Sequence, residues 1–462
     1  MALMTFRWPD AVPTRSRRSF IVILLHISAW ILGDWGVGIS GAAPSLGERA
    51  IILTPHVDAI RNEFANGFAK WHQEHFNEPG GVDWRNVGGT SDALRFIRSE
   101  FQLKPDGIGL DILFGGGQEP YLVLADEALS APYKARPEIL AGIPATHLGM
   151  EIYDPEFHWY AAAISSFGIL QNTKLQRVHG FPLVRRWEDL GQPKLMGWVG
   201  VGDPRNSGTM YVMFEAFLQA YGWEKGWQLL TQIAGNVRRF DRVSSTTAKD
   251  VTLGETAYAF AIDFYGFSQI TVAGRSNMTF VLPEDFTAIN VDCIAILKGA
   301  PHRRMAERFV DFVLSEAGQR LWFLPRGHPE GPQAYSIERM SVRPDFYRRY
   351  RGVSNIEFSP FELTRGFTYD SKLSRARREV VAALAGAILV DTHSELTEAW
   401  RHLNRRGLSG GGGLEAFGQV PVTEAEALRL SAEQWKRPEV RNQKRLDWQT
   451  WARAKYRRLC RS

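Results

Sequence analysis

The stretch VGDPRNSGTMYVMF, Val201 to Phe214, sets two small hydroxyls and a glycine between a Pro-Arg-Asn turn and the start of an amphipathic helix. Ser207, Gly208 and Thr209 can seat an anion there. A helix N-terminus offers unpaired N–H groups and the positive end of its dipole, and glycine lets the backbone approach the bound group. The same residues also serve as an ordinary helix cap with no ligand at all. Two more turns share this chemistry: Gly88, Gly89 and Thr90 before SDALRFI, and Gly115, Gly116 and Gly117 before EPYLVLADE. Each either feeds amides to an oxyanion or simply closes a tight strand-to-helix turn. The triple glycine is no P-loop, because the Lys-Ser/Thr ending is missing.

Other chemistries find little support. No GxSxG elbow, HExxH or paired CxxC occurs, and GVGDPRNSG lacks the final spacing of a dinucleotide fingerprint. Carboxylates are plentiful but not recognisably paired for acid/base work. The chain therefore reads as a binding protein and not as an enzyme, with a doubly wound transferase as the weaker alternative. His72 and His75 in WHQEH stand at i and i+3 without HExxH order and are expected on the surface. Cys293 and Cys460 are far apart, and one falls in an apolar strand, so no disulfide framework is expected.

The elements that position these turns alternate. RAIILTP, VDWRNV and GIGLDILF read as strands, each followed by a helical pattern; in the first helix Ile60, Phe64, Phe68 and Trp71 share one face. A second series runs through GWVGVGDP, SGTMYVMFEAFLQAYG, WEKGWQLLTQIAG, SSTTAKDVTLGE with Ser244 or Ser245 as its cap, and TAYAFAIDFYGF. DCIAILKGAP and HRRMAERFVDFVLSEAGQRLW add a strand and a helix. Such alternation predicts a parallel α/β sheet whose ligands bind beyond the carboxyl ends of the strands.

Composition agrees with a globular chain. Its 462 residues are 44% hydrophobic, enough for two or more lobes, and 55 basic against 50 acidic residues give a net charge of +5. That balance does not call for nucleic acid as a partner, though a mild positive field favours anions. Arg15, Arg17 and Arg18, the apolar run Phe20 to Leu32 and the small residues SGAAPS form an export signal, cut after Ala43. SRRSFIV approaches a twin-arginine signal, so export by Sec or twin-arginine both stand. A retained anchor is the weaker reading, since the run is shorter than the ~20 residues that span a bilayer. The C-terminal region is helical and basic, its tryptophans are packing residues, and it is expected to wrap on the first lobe.

TPH, NVGGTSDAL, ILFGGGQEPYLVLADEAL, AAAISSFGILQN, GDPRNSGT and LKGAPHRRMAERFVDFVLSEAGQRLW occur in an order that resembles extracellular solute-binding proteins of ABC importers, of the ferric-ion and anion-binding type. The resemblance implies an α/β, two-lobed type II periplasmic binding protein fold with a hinge, plus a C-terminal helical extension. It places an export signal at 1–43, lobe one at 44–144 and 288–345, lobe two at 145–287 and the extension at 346–462. The implied function is periplasmic capture of a small anionic solute or ferric ion, delivered to a permease and ATPase complex in the inner membrane. A ligand-sensing partner of a membrane receptor would use the same cleft. No resident cofactor is expected.

The implied ligand contacts are His56, Gly89, Thr90, Gly116, Gly117, Ser207, Gly208, Thr209, Asp263 and Tyr265. Ferric-binding relatives pair adjacent tyrosines with a histidine or carboxylate, because hard Fe(III) prefers oxygen ligands. Here the turn reads IDFYGF, with phenylalanine at 264 where the second tyrosine would stand. His56 and Tyr265 would be metal ligands only if ferric ion is the cargo; Asp263 and Tyr265 can equally bind a ligand hydroxyl or ammonium.

Overall fold

The computed structural model of the chain describes residues 47–147, 149–354, 356, 358–362, 367–407 and 412–461. The expected export signal lies outside these described residues. Among them, no single helix is long and apolar enough to cross a membrane.

Strands β1 (Arg49–Leu53), β2 (Gly81–Arg85) and β3 (Ile112–Gly117) alternate with helices α1 (Asp58–Phe76), α2 (Thr90–Leu103) and α3 (Gln118–Asp126). Strand β1 pairs in parallel with both β2 and β3. Next comes β4 (Tyr160–Asn172), YAAAISSFGILQN, buried along its whole length. The second series holds β5 (Val199–Gly202), α4 (Gly208–Tyr221), α5 (Trp223–Asn236), β6 (Val237–Asp241), α6 (Ser244–Leu253), β7 (Tyr258–Ile262), α7 (Asp263–Ala273) and β8 (Met278–Val281). Strand β5 runs parallel to β6 and β7. The chain then returns through β9 (Ile289–Ile296), α8 (Arg303–Leu314) and α9 (Glu316–Phe323).

The strand order is β2-β1-β3-β9-β4-β7-β5-β6, with β8 pairing β4 beside this path. Strand β4 is what joins the halves. Its first part pairs antiparallel with β9 from Tyr160 to Ser166, and its last part pairs antiparallel with β7 from Phe167 to Gln171. A strand apolar on both faces can be covered on both sides, as this position requires.

Two main hydrophobic clusters lie on either side of that junction. The first packs Phe64 against Trp322 at 4.4 Å and Phe68 against Phe309 at 5.2 Å between ring centroids. The second holds Trp187, Phe217, Trp227 and Phe260. Residues Phe346, Tyr350 and Ile356 still belong to the first cluster. The helices α10 (Ser371–Ala385), α11 (His393–Arg405) and α12 (Pro438–Leu459) do not.

The tail was expected on lobe one; instead it covers the second cluster, where Val380, Leu384, Leu389, Trp400 and Tyr456 are buried. The cause lies in α4, which is buried at every position from Met210 to Leu218 except Val212. A helix apolar almost all round needs a second layer outside it. Trp400 stacks on Phe417 at 5.2 Å and donates its indole N–H to Asn236 at 2.8 Å, while Trp435 and Trp448 stack at 5.8 Å.

Two smaller expectations also change. His72 is buried under 2% exposure, with Nδ1 2.8 Å from the Glu78 carbonyl and Nε2 2.9 Å from the Arg308 guanidinium, because α1 is covered by α8 on that face. Helix α6 begins at Ser244 after Val243, so neither Ser244 nor Ser245 caps it through a side chain.

Candidate functional site

Residues just beyond β1 and β7, one from each half, come together around Arg339, which contacts His56 and stacks on Phe264. His56 follows β1 by three residues and is buried. Its Nε2 lies 3.1 Å from Asp292 Oδ2, on β9. Asp292 also accepts a hydrogen bond from the Gly116 N–H and an ion-paired one from Arg339. Burial, reinforced by Arg339 and then Arg61, holds the His56 imidazole well below its ordinary pKa. His56 is therefore neutral at pH 7, and its contact with Asp292 is a hydrogen bond to a carboxylate. Its Nδ1 is buried without a hydrogen-bond partner.

The glycine run that ends β3 exists because nothing larger fits. Gly115 and Gly116 have φ of +109° and +93°, a region that favours glycine. A Cβ on Gly115 would lie 2.7 Å from the His56 ring, and one on Gly116 would lie 2.5 Å from Thr90 Oγ1. This brings His56, Thr90 and Gly116 into one group. The Tyr121 hydroxyl fixes the turn from below, 2.8 Å from the Gly115 carbonyl and 2.7 Å from that of Cys293. Gly117 precedes α3 and adjoins Asn290. Gly89 precedes α2, and its N–H donates to Asp92 at 3.1 Å.

Arg339 comes from the buried segment Ile337–Arg343, where Met340 bridges to Ile164 of β4. Its guanidinium carbon sits 4.0 Å from the ring centroid of Phe264, in the first turn of α7, and 5.3 Å from that of Trp322. Stacking a guanidinium on an aromatic face stabilises it by ~0.5–2 kcal/mol, more where water is excluded. Burial lowers the Arg339 pKa to about 10, opposed by Asp263 and Tyr265, so the group stays charged at pH 7. Its Nε is buried with no hydrogen-bond partner.

Asp263 faces the crossing strand. Oδ2 accepts from the Ser166 N–H at 2.7 Å and the Ser166 hydroxyl at 3.1 Å, and Oδ1 accepts from the Phe264 N–H at 2.7 Å. Burial pushes its pKa up to about 7 in spite of those bonds. Tyr265 is half-buried, its ring 4.5 Å from that of Phe264, and burial raises its pKa while Arg339 lowers it.

On the opposite side of the junction, Ser207 caps α4, its Oγ accepting from the Met210 N–H at 3.3 Å. That leaves the hydroxyl proton of Ser207 free to donate, and the first-turn amides of Gly208 and Thr209 have no intrahelical acceptor. The Pro-Arg-Asn turn is held by Asp203, which accepts from Arg205 at 2.7 Å and from Asn206 at 3.2 Å. Arg205 pairs further with Asp391 of the extension at 2.9 Å.

Sequence reasoning missed Asp292 and Arg339. Asp292 carries a signal of its own: it is a carboxylate inside the apolar strand INVDCIAI, and a buried charge must find a partner. Arg339 carries no local signal, because its partners lie far away in sequence. Among the described residues, no group of three or more His, Cys, Asp and Glu is arranged to hold a metal ion.

Residues 131–333 match the family model described as a bacterial extracellular solute-binding protein. An uncharacterized protein of Haemophilus influenzae is 28% identical over 219 residues, covering 46% of this chain and 60% of its own length. The phosphoglycerate transport regulatory protein PgtC of Salmonella typhimurium is 25% identical over 262 residues, 52% of this chain and 65% of its own. The chain thus spans less than two thirds of the length of both curated relatives. Among solved structures, the periplasmic binding protein AfuA of Actinobacillus pleuropneumoniae with fructose-6-phosphate superposes with a TM-score of 0.57 at 20% identity, covering 74% of this chain and 98% of AfuA. The apo ferric ion-binding protein A of Pasteurella haemolytica gives 0.52 at 15% identity, covering 76% and 98%. Residues 131–333 are thus similar to bacterial extracellular solute-binding proteins, and the chain has the α/β fold of the type II periplasmic binding proteins.

Proposed function

We propose that the protein is the periplasmic substrate-binding component of an ABC importer and that its cargo is a small anionic solute. In this reading it is exported by the signal at residues 1–43, closes lobe one (44–144 and 288–345) on lobe two (145–287), and hands its solute to an inner-membrane permease and ATPase. It performs no chemistry on that solute. The observation that carries the anionic cargo is the Arg339 guanidinium, set where the lobes meet and stacked on Phe264.

The same observation weighs against ferric ion. A trivalent cation held by His56 and Tyr265 would sit beside a charged guanidinium that already contacts His56 Nε2 at 3.5 Å. The phenylalanine at 264, a departure from paired tyrosines, has its own role as the face that supports Arg339. Contacts to the anion come from Thr90, the Gly116–Gly117 and Ser207–Thr209 turns and Tyr265, with Gly89 shaping the α2 start. Asp263 serves this site by fixing the first turn of α7 to Ser166. A solute that bridges both lobes binds the closed form better than the open one and shifts the population towards it.

The test is thermal unfolding of the purified protein with ferric chelates, inorganic phosphate, phosphonates, sugar phosphates and uncharged sugars. Binding to the native state alone stabilises by about 2.7 kcal/mol at a hundredfold excess over Kd. A shift with phosphorylated compounds is expected. A shift with ferric chelate alone, accompanied by a visible phenolate absorption band, overturns the anionic reading.

A further inference from the structure

Helix α10 touches both lobes, and it does so differently on its two sides. On one side it is rooted. Arg377, fully buried, pairs with Glu215 of α4 at 2.7 Å; the Tyr211 hydroxyl donates to the Ser374 carbonyl at 2.8 Å; and Val380 and Leu384 are buried in the second cluster. On the other side it reaches α3, whose Tyr121 and Leu124 belong to the first cluster. Arg375 meets Asp126 at 2.8 Å, and Arg378 pairs with Glu119 in the first turn of α3. These four side chains are between 23% and 62% exposed. The Arg378 guanidinium carbon lies 4.6 Å from the centroid of Tyr211, so Arg378 stands between α3 of one lobe and α4 of the other.

We propose that α10 is an interlobe clasp, rooted in lobe two and fastened to lobe one by the Arg375–Asp126 and Arg378–Glu119 pairs, with Arg378 as the positioning residue that sets how often the lobes are closed. The inference rests on the two-lobed, closing reading above. The difference in burial gives the clasp its direction of failure. Removing a partner of the buried Arg377–Glu215 pair would leave a charge uncompensated, whereas the half-exposed pairs are weak and screened by salt, so the fastening to lobe one lets go first. Apparent solute affinity scales with the fraction of molecules in the competent state, so loosening the clasp lowers affinity. Because the Arg378 guanidinium also adjoins Gly208, 3.7 Å from where a Cβ there would lie, the scattering and not the affinity decides the clasp.

Small-angle X-ray scattering of the solute-free protein at low and high salt, for wild type and for Arg375→Ala/Arg378→Ala, tests this directly. The expected result is a larger radius of gyration for the double variant at low salt, a wild type that expands towards it at high salt, and recovery of the compact curve by the charge exchange Glu119→Arg/Arg378→Glu. Calorimetry with inorganic phosphate should then show affinity for the double variant about two- to tenfold weaker. Identical scattering of wild type and double variant at both salt concentrations overturns the clasp. If wild type binds no phosphate, the anionic reading loses support while the scattering still decides the clasp, so the two failures are distinguishable. Unchanged thermal unfolding of the double variant separates opening from misfolding.

Discussion

Arg339 and Arg378 both stand where the lobes meet, yet burial gives them different physics. The Arg339 side chain is 7% exposed and shares Asp292 with His56 and the Gly116 amide; that of Arg378 is 30% exposed and has Glu119 as its ion-pair partner. A buried pair is costly to leave half-made and is therefore committed, whereas an exposed pair is weak and adjustable. The first can define what the site accepts, and the second how often it is closed.

The sharpest way to break this comparison is at the committed end. Asp292→Ala strands the Arg339 guanidinium in a buried site and should destabilise the protein by about 3–5 kcal/mol in denaturant unfolding. A cost below about 1 kcal/mol would place Arg339 among the adjustable pairs.

A pH experiment probes the same buried junction. Asp263, pushed up to about 7 from the ordinary 3.8, keeps its proton when folded at pH values where the unfolded carboxyl has lost it. The stability it contributes is therefore present below about pH 4 and is lost as pH rises through about 7. Stability of the wild type relative to Asp263→Asn should fall across that interval. A constant difference between the two proteins would mean that Asp263 ionises normally.

Smaller effects are expected at the turn before α4. Ser207→Ala removes a cap and should cost about 1 kcal/mol of stability. Thr209→Val should leave stability nearly unchanged and weaken anion binding by up to about tenfold, the net worth of one hydrogen bond. Unchanged affinity in both variants by calorimetry would remove this turn from the site. The smallest change belongs to Glu119→Gln, which should cost no more than about 1 kcal/mol and make affinity less sensitive to salt.

What the sequence makes legible follows from range. The strand-to-helix turns at Gly88–Thr90, Gly115–Gly117 and Ser207–Thr209 are local: glycine, small hydroxyls and a following amphipathic run declare them within a few residues. The arrangement of Arg339 is not local, since its carboxylate lies 47 positions away and its imidazole neighbour 283. Phe264 illustrates the cost of that. By itself it is a tyrosine missing from a pattern; beside Arg339 it is an aromatic face under a cation. The placement of the tail was illegible for a related reason, because helical periodicity gives a helix an apolar face without naming the surface it will cover. Helix α4 reads as amphipathic in the sequence, and it is its burial in the structure, at every position from Met210 to Leu218 except Val212, that reveals the further layer over the second lobe.

That layer has a mechanical consequence. The chain leaves the first cluster at Phe361 and joins the second at Phe367, six residues on. Even fully extended, such a length reaches only about 20–22 Å. Together with the crossing strand β4, this tether joins the two halves a second time, like a door on a short check-strap. In the closing motion proposed above, the angle through which the lobes could swing is thus bounded by covalent length, whatever the solute or the salt.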